Sequence, residues 1–405
     1  MKYVFFTNSM GGYSGGPTYV RNKLLYLKEH GWDVIVFDST GYYNSEILLQ
    51  DLRCFGNNRY QELFFNPFWL RKSRRERIMS EIISKIGNDE RTVIESNTVA
   101  MSLWGELIAS RIDAKHIIYL LSERLTVSDK SLYKFFKFKA ERKELFSINE
   151  KAYNILLSKF EKVSDADQYY WSAKNFVPIE DIECTELEHV KKADYNIGHF
   201  GRRKGYFDEM FKGVADFANK NKDKSVNFIL LGDAKITAEQ KNTLSSNIFM
   251  YQLKARQPLP KMFFDKTDVI IAVAGCASIA LVNGAKVISM DVYNNVPLGV
   301  MGYNTKDSNI RSKDNKYSKS LSETLDDVLV NRLYDTAPQM EIKPSNKGYD
   351  YQVEFATFPD KRYYDEKKYV LTKCPLSKYW ERILLYLDMV SICSLIRYKN
   401  RRKNH

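Results

Sequence analysis

Two successive α/β domains, each a doubly wound sheet of parallel strands in the Rossmann-like manner, are what this sequence predicts. Three observations predict them. Short uninterrupted apolar runs alternate with helical stripes through both halves of the chain, the pattern of strands buried on both faces. Glycine-rich turns stand at the ends of several of these runs, and the alternation breaks between Val177 and Asp194 before it restarts. At 405 residues the chain is also too long for one comfortable core. The expected organisation is a first domain over 1–180, a second over 195–340, and an extension over 341–405 that ends in a basic helix. Ligands in such folds bind beyond the carboxyl ends of the strands, so a cleft between the domains is expected.

The elements follow in order. Tyr3-Val-Phe-Phe6 is a first strand, followed by the loop Thr7–Gly16. Pro17 suits a first helical turn, and Val20, Leu24 and Leu27 form a core-facing stripe. Gly31 closes that helix and Asp33-Val-Ile-Val-Phe37 is the next strand, which makes a right-handed βαβ unit. Thr92–Ile94 and His116–Leu121 read as strands around a helix near Met101–Ile112. Lys130–Lys162 reads as one or two solvated helices, because Glu and Lys alternate there. Tyr169-Tyr-Trp171 reads as the last strand of the first half. The second half predicts Tyr195–Phe200, a helix with Phe207, Met210, Phe211, Val214 and Phe217 on its inner face, then Val226–Leu231, Ile248–Tyr251, Leu259–Phe264, Asp268–Val273 and Lys286–Met290. Arg332–Tyr369 has no usable period and is expected to be loops. One apolar helix, Trp380–Ile396, interrupted by Asp388, closes the pattern.

Composition narrows the function classes. Hydrophobic content of 44% and charged content of 28% describe an ordinary globular protein. The five cysteines form no CxxC pair and the five histidines share no ligand spacing, which argues for a reducing compartment and against a metal site. No secretory signal is visible, and no run of roughly 18 apolar residues could span a bilayer. A formal charge of +12 favours anionic partners. The aromatics are not interleaved with a basic strand at base-stacking spacing, so nucleic acid is not expected.

Two glycine-rich turns carry the chemistry. In Gly11-Gly-Tyr-Ser-Gly-Gly16, Gly11 and Gly16 have the spacing of a phosphate loop, but Pro17 stands where its lysine belongs. The dinucleotide spacing G-x-G-x-x-G is absent too, although Asp38 ends the second strand where a ribose-binding acid would sit. What remains is a loop whose Gly12, Gly15 and Gly16 can admit a donor or acceptor close to the main chain. The second turn is Ala274-Gly-Cys-Ala-Ser278, between a strand and a short helix. There Gly275 and Ser278 offer backbone groups to a phosphate at a helix start. Gly201-Arg-Arg-Lys-Gly205 follows a strand directly. Arg202 supplies a planar fork and Lys204 a mobile point charge, enough to neutralise a diphosphate without a metal. Gly232-Asp233 closes the next strand at the same end.

These pieces, in this order, resemble the GT-B glycosyltransferases that use sugar nucleotides, over most of residues 1–300. Gly11–Gly16 with Trp32-Asp-Val-Ile-Val36 resembles the N-terminal glycine loop and following strand of that family. Gly201-Arg202 and Lys204-Gly205 resemble its G-R…K-G segment, compressed by several residues. Phe228–Asp233, Asn247–Tyr251, Leu259–Phe264 and Asp268–Ile271 follow the order of its donor domain, and Gly284, Val287-Ile288 and Asp291 resemble "G-x-P-V-I-x-x-D". The resemblance implies a nucleoside-diphosphate-sugar donor, no resident cofactor, and a glycan acceptor, polyprenyl-diphosphate-linked, in the assembly of bacterial surface polysaccharide. It also implies a cytoplasmic, peripheral enzyme.

The departures are specific. The family's E-x7-E pair has no glutamate here between Ala272 and Ala280, and the Ala274–Ser278 turn is closer to that of the lipid-intermediate transferases. The cleft histidines are replaced by Glu95 after one strand and Ser122-Glu123 after another. Either glutamate can act as general base if it is ionised and within reach of an acceptor hydroxyl; Glu123 is the favoured one. Ile383, Leu384, Leu387, Val390 and Leu395 give the last helix an apolar stripe, which is expected to pack on the first domain. The basic tail beyond it suits an anionic membrane surface. Two other readings stand beside the transferase: a nucleotide-sugar epimerase, which would react on donor alone, and a non-catalytic partner subunit, which would bind no nucleotide sugar.

Overall fold

Alternating strand and helix begin at the first residues and run in the order β1 (Lys2–Thr7), α1 (Gly15–Glu29), β2 (Asp33–Asp38), β3 (Arg53–Phe55), α2 (Lys72–Ile86), β4 (Thr92–Ser96), α3 (Val99–Ile112), β5 (Lys115–Leu120), α4 (Lys130–Glu141), β6 (Leu145–Ser147) and α5 (Glu150–Leu157). The second half continues with β7 (Ile179–Glu180), α6 (Thr185–Glu188), β8 (Tyr195–Gly201), α7 (Phe207–Lys220), β9 (Val226–Gly232), α8 (Ala238–Asn242), β10 (Ile248–Leu253), β11 (Leu259–Pro260), α9 (Lys261–Asp265), β12 (Val269–Ala272), α10 (Ala274–Val282), β13 (Val287–Met290), β14 (Pro297–Val300) and α11 (Leu321–Leu325). Two helices close the chain, α12 (Tyr379–Tyr386) and α13 (Val390–Lys403).

This computed structural model describes residues 1–8, 10, 15–38, 53–55, 60–87, 91–122, 125, 127, 129–147, 150–157, 179–201, 203, 205–232, 236–256, 258–338, 340, 349, 353, 361–368, 379–387 and 389–403, without the side chains of 150, 151, 155, 157 and 397–403. The chain divides into two units: residues 1–12, 19–173 and 345–405, and residues 13–18 with 174–344.

In the first unit six parallel strands lie in the order β3-β2-β1-β4-β5-β6. Their side chains alternate between two covered faces. Val4, Phe6, Ile35, Phe37 and Ile94 pack with α2 and α3 and with Leu385, Val390 and Cys393 of the last two helices. Tyr3, Phe5, Val34, Val36 and Val93 pack on the other face with Tyr19, Val20, Leu24 and Leu27 of α1. Burial on both faces is why these strands read as unbroken apolar runs.

The first half departs from the sequence expectations in four elements. Strands β3 and β6, three residues each, and helix α2 were not expected. Helix α4 is not merely solvated, since Phe135, Phe136 and Lys139 on one side are buried. The strand expected at Tyr169–Trp171 lies outside the described residues; β6 is the last described strand of this sheet.

The second unit holds six strands in the order β10-β9-β8-β12-β13-β14, parallel except for β14, which runs antiparallel to β13. Helix α7 buries Phe207, Met210, Phe211, Val214 and Phe217 on one face, as its spacing predicts. The segment expected over Leu259–Phe264 is a two-residue strand that pairs with β7, followed by the short helix α9. The C-terminal stripe is two helices rather than one. Leu385, Val390 and Cys393 are buried in the first unit's core, while Ile383, Leu387 and Leu395 face outward.

A buried ion pair ties α1 to its sheet. The Lys23 ammonium lies 2.6 Å from Glu95 of β4, and neither side chain has any exposed surface. Tyr3 and Tyr19 also donate to Glu95, at 2.6 and 3.2 Å, and the Asn97 amide donates at 3.0 Å. Burial pushes the Lys23 ammonium down from its usual range, and the Glu95 charge opposes that shift. Removing one member of such a pair strands the other charge. Lys23→Met is therefore expected to cost about 3–5 kcal/mol, and adding Glu95→Gln to recover part of that loss, read from chemical denaturation.

Candidate functional site

Strand order in the second unit reverses between β8 and β12: the chain winds outward through β9 and β10, then returns to build β12 and β13 on the other side. At such a reversal the loops leave in opposite directions and open a crevice at the carboxyl ends of the strands. Gly201 ends β8 at φ +130° and Gly232 ends β9 at φ +141°, and the two are register partners. A Cβ on Gly232 would lie 2.2 Å from the Gly201 carbonyl oxygen, so no side chain fits there. Across the reversal Ala274 joins β12 to α10 in the left-handed region, at φ 50°, a conformation that costs an L-residue about 1–2 kcal/mol. Such outliers concentrate where a site needs the backbone in one shape.

The first turn of α10 abuts the end of β8, since the Cys276 sulfur lies 3.4 Å from where a Gly201 Cβ would sit. The Ala274 N–H donates to the Ser308 carbonyl and the Cys276 N–H to that of Val273. The Gly275 N–H between them has no acceptor among the described residues. The Ser278 hydroxyl is turned onto its own helix, donating to the Ala274 carbonyl at 3.4 Å. Arg202 and Lys204 lie outside the described residues. Arg203 between them pairs with Asp208 and lies 5.1 Å over the Phe207 ring.

Sequence reasoning missed His199, two residues before Gly201. Its Nδ1 donates to the Ile271 carbonyl at 2.8 Å, while its Nε2 is buried and has no partner among the described residues. Burial pushes this imidazole down to about 4, against the upward effect of the Ile271 carbonyl, so it is neutral. Tyr206 stands edge-on to it with ring centroids 6.1 Å apart. Asp291, matched by sequence to the family's terminal aspartate, is a local organiser. Its carboxylate accepts from the backbone N–H groups of Tyr293, Asn294 and Arg311 and shapes the loop after β13.

In the first unit the reversal lies between β1 and β4. Gly15 and Gly16 open α1; Gly12 lies outside the described residues. Asp38, fully buried at the end of β2, accepts the Met10 N–H at 2.8 Å and so anchors the chain just before the glycine loop. Glu95 is sealed in the Lys23 cluster and is not presented to an acceptor. Glu123 lies outside the described residues.

A Ser–His–Glu array also sits in the first unit. Ser96 Oγ is 3.0 Å from His116 Nε2, and His116 Nδ1 is 2.6 Å from Glu106. It has the order of a nucleophile, a base and an orienting acid, but all three side chains are buried. A Cβ on Gly105 would lie 2.4 Å from Ser96 Oγ, so no substrate can approach. Lys139 bridges Glu106 at 2.9 Å and Glu144 at 2.7 Å, and Lys115 pairs with Glu144 at 2.8 Å. Burial alone would raise the Glu106 carboxyl, but Lys139 and His116 outweigh it and bring the group down to about 2. This is a polar core that clamps α3 and α4 to β5.

No protein-family model matches the sequence, and neither does any curated protein. Solved structures do match. HepE from Anabaena, determined in complex with UDP and glucose, is 13% identical with a TM-score of 0.52, over 83% of this chain and 90% of that one. A glycosyltransferase from Rickettsia africae is 14% identical with a TM-score of 0.58, over 88% and 93%. The chain has the GT-B fold, with two Rossmann-like domains.

Two outcomes follow from this geometry. Gly232→Ala is expected to lower the thermal midpoint, because its Cβ meets backbone rather than a movable side chain; an unchanged midpoint would refute the close approach. The second concerns pH. His199 stays neutral in the fold down to about 4, whereas an unfolded histidine takes up its proton near pH 6.5. The unfolded state therefore binds more protons between those values, and stability falls as pH drops from about 6.5 towards 4, by up to roughly 3 kcal/mol from this residue. His199→Asn should flatten that slope in denaturation midpoints measured across the range.

Proposed function

We propose that this chain is a glycosyltransferase that binds a nucleoside-diphosphate sugar at the carboxyl edge of the second sheet and passes the sugar to a hydroxyl of a glycan acceptor. The observation that carries this reading is the set of positive-φ residues around the strand-order reversal, Gly201, Gly232 and Ala274. Bare strand ends beside a helix start suit a diphosphate, which is held by main-chain N–H groups and the positive end of a helix. The Gly275 N–H is available for that bond. Arg202 and Lys204, immediately after Gly201 in sequence, neutralise the charge that develops on the departing nucleoside diphosphate, in the place a metal ion takes in other transferases. The likeness of fold to HepE, solved with UDP and glucose, supports a uridine nucleotide as the first donor to try.

Glu123, which follows β5 in sequence, is the proposed base. It takes the acceptor hydroxyl proton as that oxygen bonds to the anomeric carbon and the bond from that carbon to the phosphate oxygen breaks. The glycine loop with Gly12, Gly15 and Gly16 admits donor or acceptor close to the main chain. The acceptor class is a glycan carried on a polyprenyl diphosphate at the cytoplasmic face of a membrane, within surface polysaccharide assembly.

The test is a thermal-shift panel of nucleoside diphosphates and their sugars, with and without Mg²⁺, followed by assay of nucleotide release. A ligand at about 100 times its Kd should add roughly 2.7 kcal/mol, and Arg202→Ala should abolish the shift. Glu123→Gln should keep the shift while transfer falls about 10²–10⁴-fold. Conversion of donor without acceptor would replace the transferase with an epimerase. Silence across the panel would replace it with a non-catalytic subunit.

A further inference from the structure

Among the described residues sixteen large hydrophobic side chains are exposed, and seven of them fall between Tyr379 and Leu395. That density marks an interaction surface, because scattered exposed hydrophobics are ordinary and contiguous ones are not. The α12–α13 hairpin has two apolar faces. Leu385, Val390 and Cys393 are inserted in the first unit's core, with Trp380 and Leu384 packed beside them. The opposite face presents Tyr379, Ile383, Tyr386 and Leu387, at spacings of four, seven and eight residues, and on α13 Ile392 and Leu395. Tyr386 is 58% exposed and Leu395 60%. Among the described residues none covers this face, and the inward face already holds the hairpin in place.

Charge says what covers it. Arg71, at the start of α2, holds its guanidinium 5.0 Å over the Tyr386 ring. Lys72 and Arg382 are exposed close by in sequence. The last seven residues of α13, Arg397–Lys403, include five cations, while Glu381, the acid within α12, is turned into the interior. No helix among the described residues is long and apolar enough to cross a membrane. An apolar face with tyrosines at its edge, continued by a cationic run, is the composition of a helix that lies in a lipid interface. A two-fold dimer through the same patch would set these cations against their own copies.

We infer that the outward face of the α12–α13 hairpin seats the first unit on an anionic lipid bilayer. The apolar side chains enter the headgroup boundary, Arg71, Lys72 and Arg382 meet lipid phosphates, and the five cations that the sequence carries from Arg397 to Lys403 add to the attraction. The inference stands apart from the transferase reading, since lipid binding requires no donor.

The test is co-sedimentation of the full chain with phosphatidylcholine vesicles, with and without phosphatidylglycerol. Binding is expected only with the anionic lipid, and it should weaken as salt rises. Each cation removed should weaken it about fivefold, so deleting residues 397–405 should cost well over tenfold. Ile383→Glu with Leu387→Glu should abolish binding with unchanged far-UV circular dichroism and thermal midpoint, because both positions are exposed. Leu395→Glu, on the other helix, gives an independent reading should the double variant misfold. Equal binding to neutral and anionic vesicles, or no effect of the glutamates, would overturn the proposal. So would a patch whose substitution changes only self-association in sedimentation velocity.

Discussion

Everything here follows from a sheet covered on both faces. Once helices lie over both sides of parallel strands, water reaches the strands only at their ends, and any charge between the layers must find its partner there. The first unit meets that condition with two sealed clusters, Lys23–Glu95 and Glu106–His116–Lys139–Glu144. The second unit places three positive-φ residues, Gly201, Gly232 and Ala274, at the carboxyl edge beside the strand-order reversal. The same constraint explains why the Ser96–His116–Glu106 array, whose distances suit a hydrolase, serves packing instead: it lies between the layers, not at the edge.

The two sealed clusters differ in what they fix. Glu95 gathers four donors from β1, α1 and the residue after β4, so it sets the seating of the helix that begins with Gly15 and Gly16. Asp38 then fixes the chain at Met10, just before the glycine loop. The described residues before and after that loop are thus fixed by buried carboxylates. Their effect on any ligand is through position, and a buried charge with full hydrogen bonding keeps one arrangement because every alternative leaves it unpaired.

Legibility followed burial. Strands β9, β10 and β12 were visible because runs of at least four consecutive apolar residues leave little alternative, and α7 because its stripe is clean. Three-residue strands such as Arg53–Phe55 and Leu145–Ser147 carry too few residues to show a period. The ion pairs were invisible for a different reason. Lys23 and Glu95 are 72 positions apart, and nothing local marks either as a partner of the other. At the site, Gly201 and Gly232 were legible because glycine advertises its backbone. Ala274 was read as part of a small-residue turn, but its left-handed backbone was not, because alanine ordinarily avoids that region. His199 passed as one scattered histidine among five. The terminal stripe was seen as one helix, since spacing alone cannot tell that half of its apolar side chains face inward and half outward.

The return of the C-terminal hairpin to the first unit bears on how the protein is made. Trp104 and Leu385 share one core, yet roughly 280 residues of synthesis separate them, about 15–60 s at ribosomal speed. Through that interval the first sheet waits with Ile78, Trp104 and Leu107 lacking their last cover, while the second unit, nearly contiguous in sequence, can complete itself. The nascent chain therefore carries a sticky, half-built first domain beside a finished second one. This is the stage at which a holding chaperone matters most, because the core around Trp104 closes only once Leu385, Val390 and Cys393 have emerged.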